Sequence, residues 1–447
     1  MATADPVTTD GWRGLPGAGW SEPAILGILA GLAGNGRLAG RVAVAFDGRA
    51  GSRELAVLAC DFLAAHGITC LLADEPAPTP ALGRFVRDSP EIGGGITFTA
   101  SHNPPGYVGF KLRDADGLSS TAPTPESLPA PLPVPRSHPA APVTARYAQT
   151  AGQDLLAALA GFDGDVAFDC AHGAAGALAR YLPGVTWARS RPLPFFAGIT
   201  PDPAEHANTD AAWQSLLSAA RTPGRLLGAF TDGDGDRLVL ATARSGWISS
   251  TEQAAVACAA GLPATTVIAS AVTPLLARRT AEAAGMTWTE APVGFKHIVA
   301  AWRDQCMPAA IGLEPNGALA YAPGPGGYFE RDALSALALV TRALPSVHEI
   351  DDAVTALRAR YPARTEIITS PLETADVLAR LELALPGWDR ADSGGLASFT
   401  SGDHRYLVRR SGTEAATRVY AEAPPDSVRK VRTGLGQSPS PGGGSGT

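Results

Sequence analysis

The stretch TASHNPPGYVGFKL, residues 99–112, decides how this chain is read. Ile96-Thr97-Phe98-Thr99 is a β-branched and aromatic run, Asn103-Pro104-Pro105-Gly106 is a cluster of breakers, and Tyr107 to Leu112 is extended again. Ser101 is thereby set on a loop just beyond a strand end. There its hydroxyl reaches solvent or ligand, and the two prolines hold the loop to few conformations.

A second stretch, TDGDGDRL at 231–238, sets Asp232, Asp234 and Asp236 at alternate positions between glycines. Ala229-Phe230-Thr231 before it and Leu238-Val239-Leu240 after it read as strands, so this too is a loop at a strand end. Three carboxylates in one tight turn repel one another unless a cation joins them, and oxygen-only donors suit a hard ion such as Mg2+. An EF-hand would need Gly at the sixth loop position and Glu at the twelfth; those positions hold Arg237 and Ala243, which sets that reading aside.

The third stretch is RRSGTEAATRVYAE at 409–422, a turn between the alternating segments RYLVRR and TRVYAE. Arg409, Ser411, Gly412, Thr413 and Arg418 offer guanidinium forks, hydroxyls and backbone N–H groups around that turn. Such a donor set suits a phosphate dianion. Taken alone it would also fit a surface strand with scattered charges.

At 447 residues the chain has room for three or four domains with their own cores. A net charge of −7 argues against nucleic-acid or anionic-membrane partners. Cys60, Cys70, Cys170, Cys258 and Cys306 are odd in number and lack CxxC spacing, which points to buried thiols in a reducing compartment and not to a disulfide framework or a zinc site. The start MATADPVTTD lacks the basic and apolar regions of a secretory leader, and no apolar run reaches membrane-spanning length, so a cytoplasmic protein is expected.

In chain order, TTDGWRG (8–14) reads as a turn carrying Trp12 and Arg13. RVAVAF (41–46) is a continuous apolar strand, followed by Asp47-Gly48-Arg49 and a helix from about Ser52, its expected N-cap, to His66. Residues 121–143 are too proline-rich for a helix or a central strand and read as an extended linker. Strand, loop and helix recur at 165–181, with His172 on the loop read as structural, and again at 266–284. GLEPNG (312–317) puts Glu314 and Asn316 on a glycine-flanked turn suited to sugar hydroxyls. Glu330-Arg331-Asp332 reads as the capped, charge-balanced start of a helix. The expected architecture is α/β: three similar mixed α/β domains and a smaller α+β C-terminal domain around a central cleft. The boundaries are 1–143 (linker 121–143), 144–243, 244–361 and 362–436, with a disordered tail at 437–447.

Together TASHNPP, TDGDGDR and RRSGTEAATRVYAE resemble the phosphoserine, metal and phosphate-binding loops of the α-D-phosphohexomutases, in family order, and the resemblance runs from TTDGWRG to about Glu422. It implies that phospho-Ser101 passes its group to a hexose phosphate, that a bisphosphate intermediate reorients, and that Ser101 is rephosphorylated. By the same resemblance, Ser101, Asp232, Asp234 and Asp236 hold Mg2+, and Arg13, His102 and Lys111 serve proton transfer and charge stabilisation. Lys111 is the first choice as general base, provided neighbouring cations depress its pKa. Arg237, Lys296, Glu314 and Asn316 would bind the sugar, and Arg409, Ser411, Gly412, Thr413 and Arg418 its phosphate. A sugar bisphosphate would act as activator, on a monomer or homodimer.

The resemblance implies a phosphomannomutase or phosphoglucomutase type of activity. GLEPNG departs from the usual GEESG or GEMSG, and Ala415 replaces a proline. Asn316 keeps a phosphoglucosamine or N-acetylglucosamine-phosphate substrate open, along with a non-catalytic phosphosugar-binding homologue. A serine hydrolase lacks its GxSxG elbow here. A metal-dependent phosphatase would need neither a phosphoserine nor a second phosphate grip.

Overall fold

Three times along the chain, two parallel strands are followed by a third parallel strand and then an antiparallel one, reached across a short loop. The first sheet runs Val108–Arg113, Ile92–Phe98, Arg41–Phe46, Thr69–Ala73 in that spatial order. The second runs Leu238–Thr242, Leu226–Thr231, Asp165–Asp169, Thr186–Ala188, and the third Leu319–Ala322, Ala310–Leu313, Thr266–Ser270, Thr287–Ala291. Within each, the last three strands are parallel and the first antiparallel to its neighbour. The internal repeat read from the sequence is therefore one strand order used three times. In every copy the loop between third and fourth strand carries the candidate residues: 99–107, 232–237 and 314–318.

This is a computed structural model, and it describes residues 7–8, 11–17, 19–34, 40–120, 134–204, 206–362, 364–393, 395–410 and 416–437. Val42, Ala43, Val44 and Ala45 are fully buried, as a parallel strand covered on both faces requires. The first sheet gains edges from Gly11–Pro16, which pairs Trp12 with Phe110, and from Ser119–Ser120. Pairing makes 11–16 a strand where a turn was expected. Trp12 is 2% exposed, so its indole belongs to the core beside Phe110. The helix after Phe46 spans Ser52–Ala65, but its N-cap is Gly51 at φ 83°, and Ser52 does not cap it. The Ser52 hydroxyl donates instead to Asp47 Oδ1 at 2.8 Å. Of the linker, Ala140–Ala141 pairs with Thr69–Ala73 and Val143–Tyr147 is helical, while 121–133 lie outside the described residues.

The chain divides at Leu357/Arg358 into two compact units, and the three repeated sheets share the first. Within it, Leu118, beside the edge strand of the first sheet, packs into one apolar cluster with Phe295, Ile298 and Trp302 of helix Phe295–Asp304, beside the third sheet. The second unit is a five-stranded antiparallel sheet in the order Arg364–Ser370, Thr417–Ala423, His404–Arg410, Leu396–Ser401, Asp389–Ser393. Helices Thr374–Ala384 and Pro425–Gly434 pack against it through Val377, Leu381, Val428 and Val431, over Tyr406, Val408 and Val419. It is the α+β architecture expected for the end of the chain. The tail from residue 438 lies outside the described residues.

Candidate active site

Ser101 follows strand Ile92–Phe98, is fully buried, and holds φ at 52°, a left-handed backbone that a non-glycine residue adopts only when its surroundings enforce it. The enforcement comes from Arg49. This arginine, 4% exposed, donates to the carbonyls of Ser101 (2.8 Å), Tyr107 (2.9 Å), Pro104 (3.2 Å) and Asn103 (3.3 Å). Asp47 fixes its Nε at 3.1 Å, and the ring of Phe196 lies 4.8 Å beneath the guanidinium. One fork thus gathers the whole serine loop. Sequence reading passed over Arg49 as the end of a strand, because its partners lie 52 to 58 residues away.

The acidic turn meets this loop directly. Ser101 Oγ donates to Asp232 Oδ2 at 2.7 Å, and a Cβ on Gly233 would stand 2.5 Å from the Ser101 carbonyl, so only glycine fits there. Asp232, Asp234 and Asp236 are buried, and one ligand oxygen from each lies within 4.8 Å of the others. Elements from all three repeats hold the turn in place. Thr79 N–H reaches the Asp234 carbonyl (2.8 Å), Ala174 N–H the Gly233 carbonyl (2.9 Å), and Leu238 N–H the Gly317 carbonyl (2.8 Å).

Burial pushes the Asp232 carboxyl well up, and the charges of Asp234 and Asp236 push it further. Burial works the same way on Asp234, but the Lys111 ammonium at 2.8 Å and the Thr79 hydroxyl at 2.5 Å outweigh it and hold Asp234 below the usual carboxylate range. Asp236 is likewise buried, yet ends below its ordinary value because Arg331 donates to Oδ2 at 2.8 Å, aided by Lys111. Lys111 lies between Asp234 and Asp236, 2.5 Å from the latter. Carboxylates grip its ammonium, and the Arg331 guanidinium shares the same Asp236 oxygen. Arg331 was read only as part of a helix start. Asp332 does cap that helix, accepting from Ser335 N–H at 3.1 Å, while Arg331 reaches back 95 residues to Asp236.

The oxygens Asp234 Oδ1 and Asp236 Oδ1 are buried without a hydrogen-bond partner among the described residues. Two orphaned carboxylate oxygens beside a third carboxylate, with no nitrogen or sulfur donor in the cluster, fit a hard divalent cation.

Around this centre, Arg13 Nη1 donates to Asn103 Oδ1 (3.1 Å) and lies 3.5 Å from His102 Nδ1, so both join the serine loop. Arg237 sits 3.9 Å from Asp232 and 3.8 Å from Asp202, two carboxylates that raise its pKa although burial opposes them. Glu314, 3% exposed, accepts from Gly294 N–H at 2.9 Å, and its loop is pinned by Ser250, whose hydroxyl donates to the Glu314 carbonyl at 2.9 Å. Asn316 Oδ1 accepts from Ala318 N–H at 3.2 Å. Arg237 bridges to Ala318, which sets the 314–318 turn against the acidic one. Lys296 is half-buried on the first turn of helix Phe295–Asp304, two residues after Gly294, whose N–H holds Glu314. His172 Nδ1 lies 3.1 Å from the Arg191 carbonyl, the structural role expected of it.

In the second unit, Arg409 and Arg418 are direct cross-strand partners at the strand ends that flank residues 411–415. Like charges so placed repel, and an anion between them would relieve the cost. Arg409 donates to the Tyr420 hydroxyl at 2.9 Å. Ser411, Gly412, Thr413 and Ala415 lie outside the described residues.

A serine hydroxyl on a carboxylate cluster built for a hard cation is equipped for metal-assisted phosphoryl transfer. Comparison with known proteins agrees. Residues 6–129 match the model of phosphoglucomutase/phosphomannomutase alpha/beta/alpha domain I, and residues 249–361 that of domain III. A phosphoglucosamine mutase from Frankia alni is 30% identical over 392 residues, covering 79% of this chain and 78% of its own. One from Cereibacter sphaeroides is 28% identical over 395 residues, with 82% of each covered. The crystal structure of a putative phosphomannomutase from Thermus thermophilus shares the fold, with a TM-score of 0.75 at 24% identity over 96% of this chain and 98% of that one. The chain belongs to the α-D-phosphohexomutase family. It is an enzyme of the mutase class, an intramolecular phosphotransferase.

Proposed function

We propose that this enzyme interconverts the 1- and 6-phosphates of an aminohexose, glucosamine first, through a phosphoserine at Ser101 and a sugar bisphosphate. The single observation that carries the phosphoserine reading is the 2.7 Å hydrogen bond from Ser101 Oγ to Asp232 inside the buried carboxylate cluster. The choice of glucosamine over mannose or glucose rests on the relatives' names and on Asn316 in the sugar turn. It moves the hexose types expected from the resemblance to second place.

In this reading the phosphorus–oxygen bond to Ser101 breaks as a bond forms to the free sugar hydroxyl. That hydroxyl's proton passes to His102, and the electron pair left on Ser101 Oγ remains beside Asp232. Lys111 and Arg331 hold Asp234 and Asp236 ionised and aimed, a positioning role in place of the base first assigned to Lys111. Bound by Asp232, Asp234, Asp236 and a phosphate oxygen on Ser101, Mg2+ would neutralise charge on the phosphoryl group. Glu314 and Asn316 would take sugar hydroxyls, with Arg237 beside them, and Arg409 and Arg418 with residues 411–413 the standing phosphate. A sugar bisphosphate would restore Ser101 after hydrolytic loss. The partner is a small phosphosugar.

Intact-mass measurement tests the centre of this proposal: the purified enzyme carries one phosphoryl group, and Ser101→Ala carries none. A coupled assay with glucosamine, mannose and glucose 1-phosphates plus a trace of bisphosphate then ranks substrates. Release of inorganic phosphate without isomerised sugar would defeat the mutase reading.

A further inference from the structure

Helix Thr79–Arg87 of the first repeat opens on Pro78-Thr79-Pro80, and an amide in the first turn of a helix finds no partner within that helix. Thr79 turns its amide to another repeat. Its N–H donates to the Asp234 carbonyl at 2.8 Å and its hydroxyl to Asp234 Oδ2 at 2.5 Å, so one residue grips both the backbone and the side chain of the central aspartate. Thr79 is fully buried, and a Cβ on Gly235 of the acidic turn would stand 3.1 Å from the Cβ of its neighbour Pro78. The helix start and the acidic turn are packed against each other.

These bonds divide the carboxylates. On Asp234, Oδ2 takes the Thr79 hydroxyl and the Lys111 ammonium at 2.8 Å, while Oδ1 has no hydrogen-bond partner among the described residues. On Asp236, Oδ2 takes Lys111 at 2.5 Å and Arg331 at 2.8 Å, and Oδ1 again has none. Each of these two aspartates has one oxygen engaged and one to offer an ion. That division suits a small ion: Mg2+ demands single oxygens in near-octahedral order, whereas Ca2+ accepts more ligands and takes carboxylates through one oxygen or both. Two cations hold Oδ2 of Asp236. On Asp234 the ammonium is shared and lies nearer to Asp236, so the rotation of the Asp234 carboxylate depends on the Thr79 hydroxyl.

We infer that Thr79 is a positioning residue that sets metal selectivity: by occupying Asp234 Oδ2 it leaves this carboxylate a single oxygen for the ion, and so discriminates Mg2+ from Ca2+. The inference rests on the proposed cation binding by the acidic turn, and on neither the phosphoryl cycle nor the identity of the sugar. Thr79 touches no substrate and acts through Asp234 alone. Groups that orient a metal ligand in this way are commonly worth about 10–100-fold in affinity.

Calorimetric titration of the full chain with Mg2+ and, separately, with Ca2+ tests this without turnover, on preparations matched in phosphorylation by intact mass. Thr79→Val keeps the side-chain shape and the N–H bond to Asp234 and removes only the hydroxyl. Its Mg2+ affinity should fall about tenfold while its Ca2+ affinity stays near that of the parent, so the preference for Mg2+ drops about tenfold. Thr79→Ser restores a hydroxyl and should restore the parent's preference. If Thr79→Val does not fold, Thr79→Ala makes the same comparison. An unchanged preference in the hydroxyl-free variant overturns the inference. Equal weakening of both ions overturns it too, because the hydroxyl would then only stiffen the turn, and so does a Thr79→Ser variant that behaves like Thr79→Val. A parent that binds neither ion defeats the metal reading itself, and the role of Thr79 with it; loss of the selectivity effect alone leaves that reading in place.

Discussion

Arg49 shows how much a single side chain organises. A guanidinium can serve several carbonyls and a carboxylate at once because its donors are spread over a rigid plane, whereas an ammonium offers a point charge. Arg49→Lys should therefore keep the ion pair to Asp47 and lose the span from Ser101 to Tyr107. Turnover is expected to fall about 10–100-fold through misplacement of the nucleophile. The serine should still accept a phosphoryl group from added bisphosphate, and steady-state kinetics beside intact mass separates the two effects.

The carboxyl of Asp232 carries a pH prediction. Burial and its two acidic neighbours raise its pKa, so the metal-free fold binds this proton more tightly than the unfolded chain does. This contribution lowers stability as pH rises past the unfolded value. Cation binding must expel the proton, so Mg2+ affinity should climb with pH, about tenfold per unit where one proton is displaced. Calorimetric titration in two buffers of unlike ionisation enthalpy should show the proton released; equal heats in both would contradict it. Asp234 has the opposite sign: its pKa is lowered, so its share of stability is present above the ordinary carboxylate value and is lost as pH falls through the lowered one.

Among the elements, the acidic turn matters most for how closely it docks. Gly233 packs its α-carbon against the Ser101 carbonyl. Gly233→Ala would push the serine loop and the turn apart, since backbone on both sides leaves no flexible atom to yield. We expect turnover to drop at least about 100-fold and Mg2+ affinity to weaken with it, with the melting temperature much less affected. Mg2+ affinity equal to that of the parent would show that the turn binds the ion without the serine loop.

The molecule as a whole consists of two compact units, each with its own core. Leu381 is fully buried in the core of the second unit. Leu381→Ala should cost that unit about 2–5 kcal/mol, and scanning calorimetry should show one transition lowered while the transition of residues 6–357 stays in place. A single transition shifting as one would mean that the two units unfold together.

The repeat and the functional loops were legible in the chain because they are local. Alternating aspartates between glycines, a serine ahead of two prolines and β-branched runs either side are set by neighbours within ten residues, and covalent sequence alone dictates them. The antiparallel fourth strand of each sheet was legible in part, as an extended run after each loop. What the chain could not display is every contact made across repeats. Lys111 meets Asp236 over 125 residues, Thr79 meets Asp234 over 155, and Arg331 meets Asp236 over 95. Those encounters depend on how three sheets pack. Only the tertiary structure therefore decided that Lys111 is gripped by carboxylates and that Arg49 shapes the nucleophile loop.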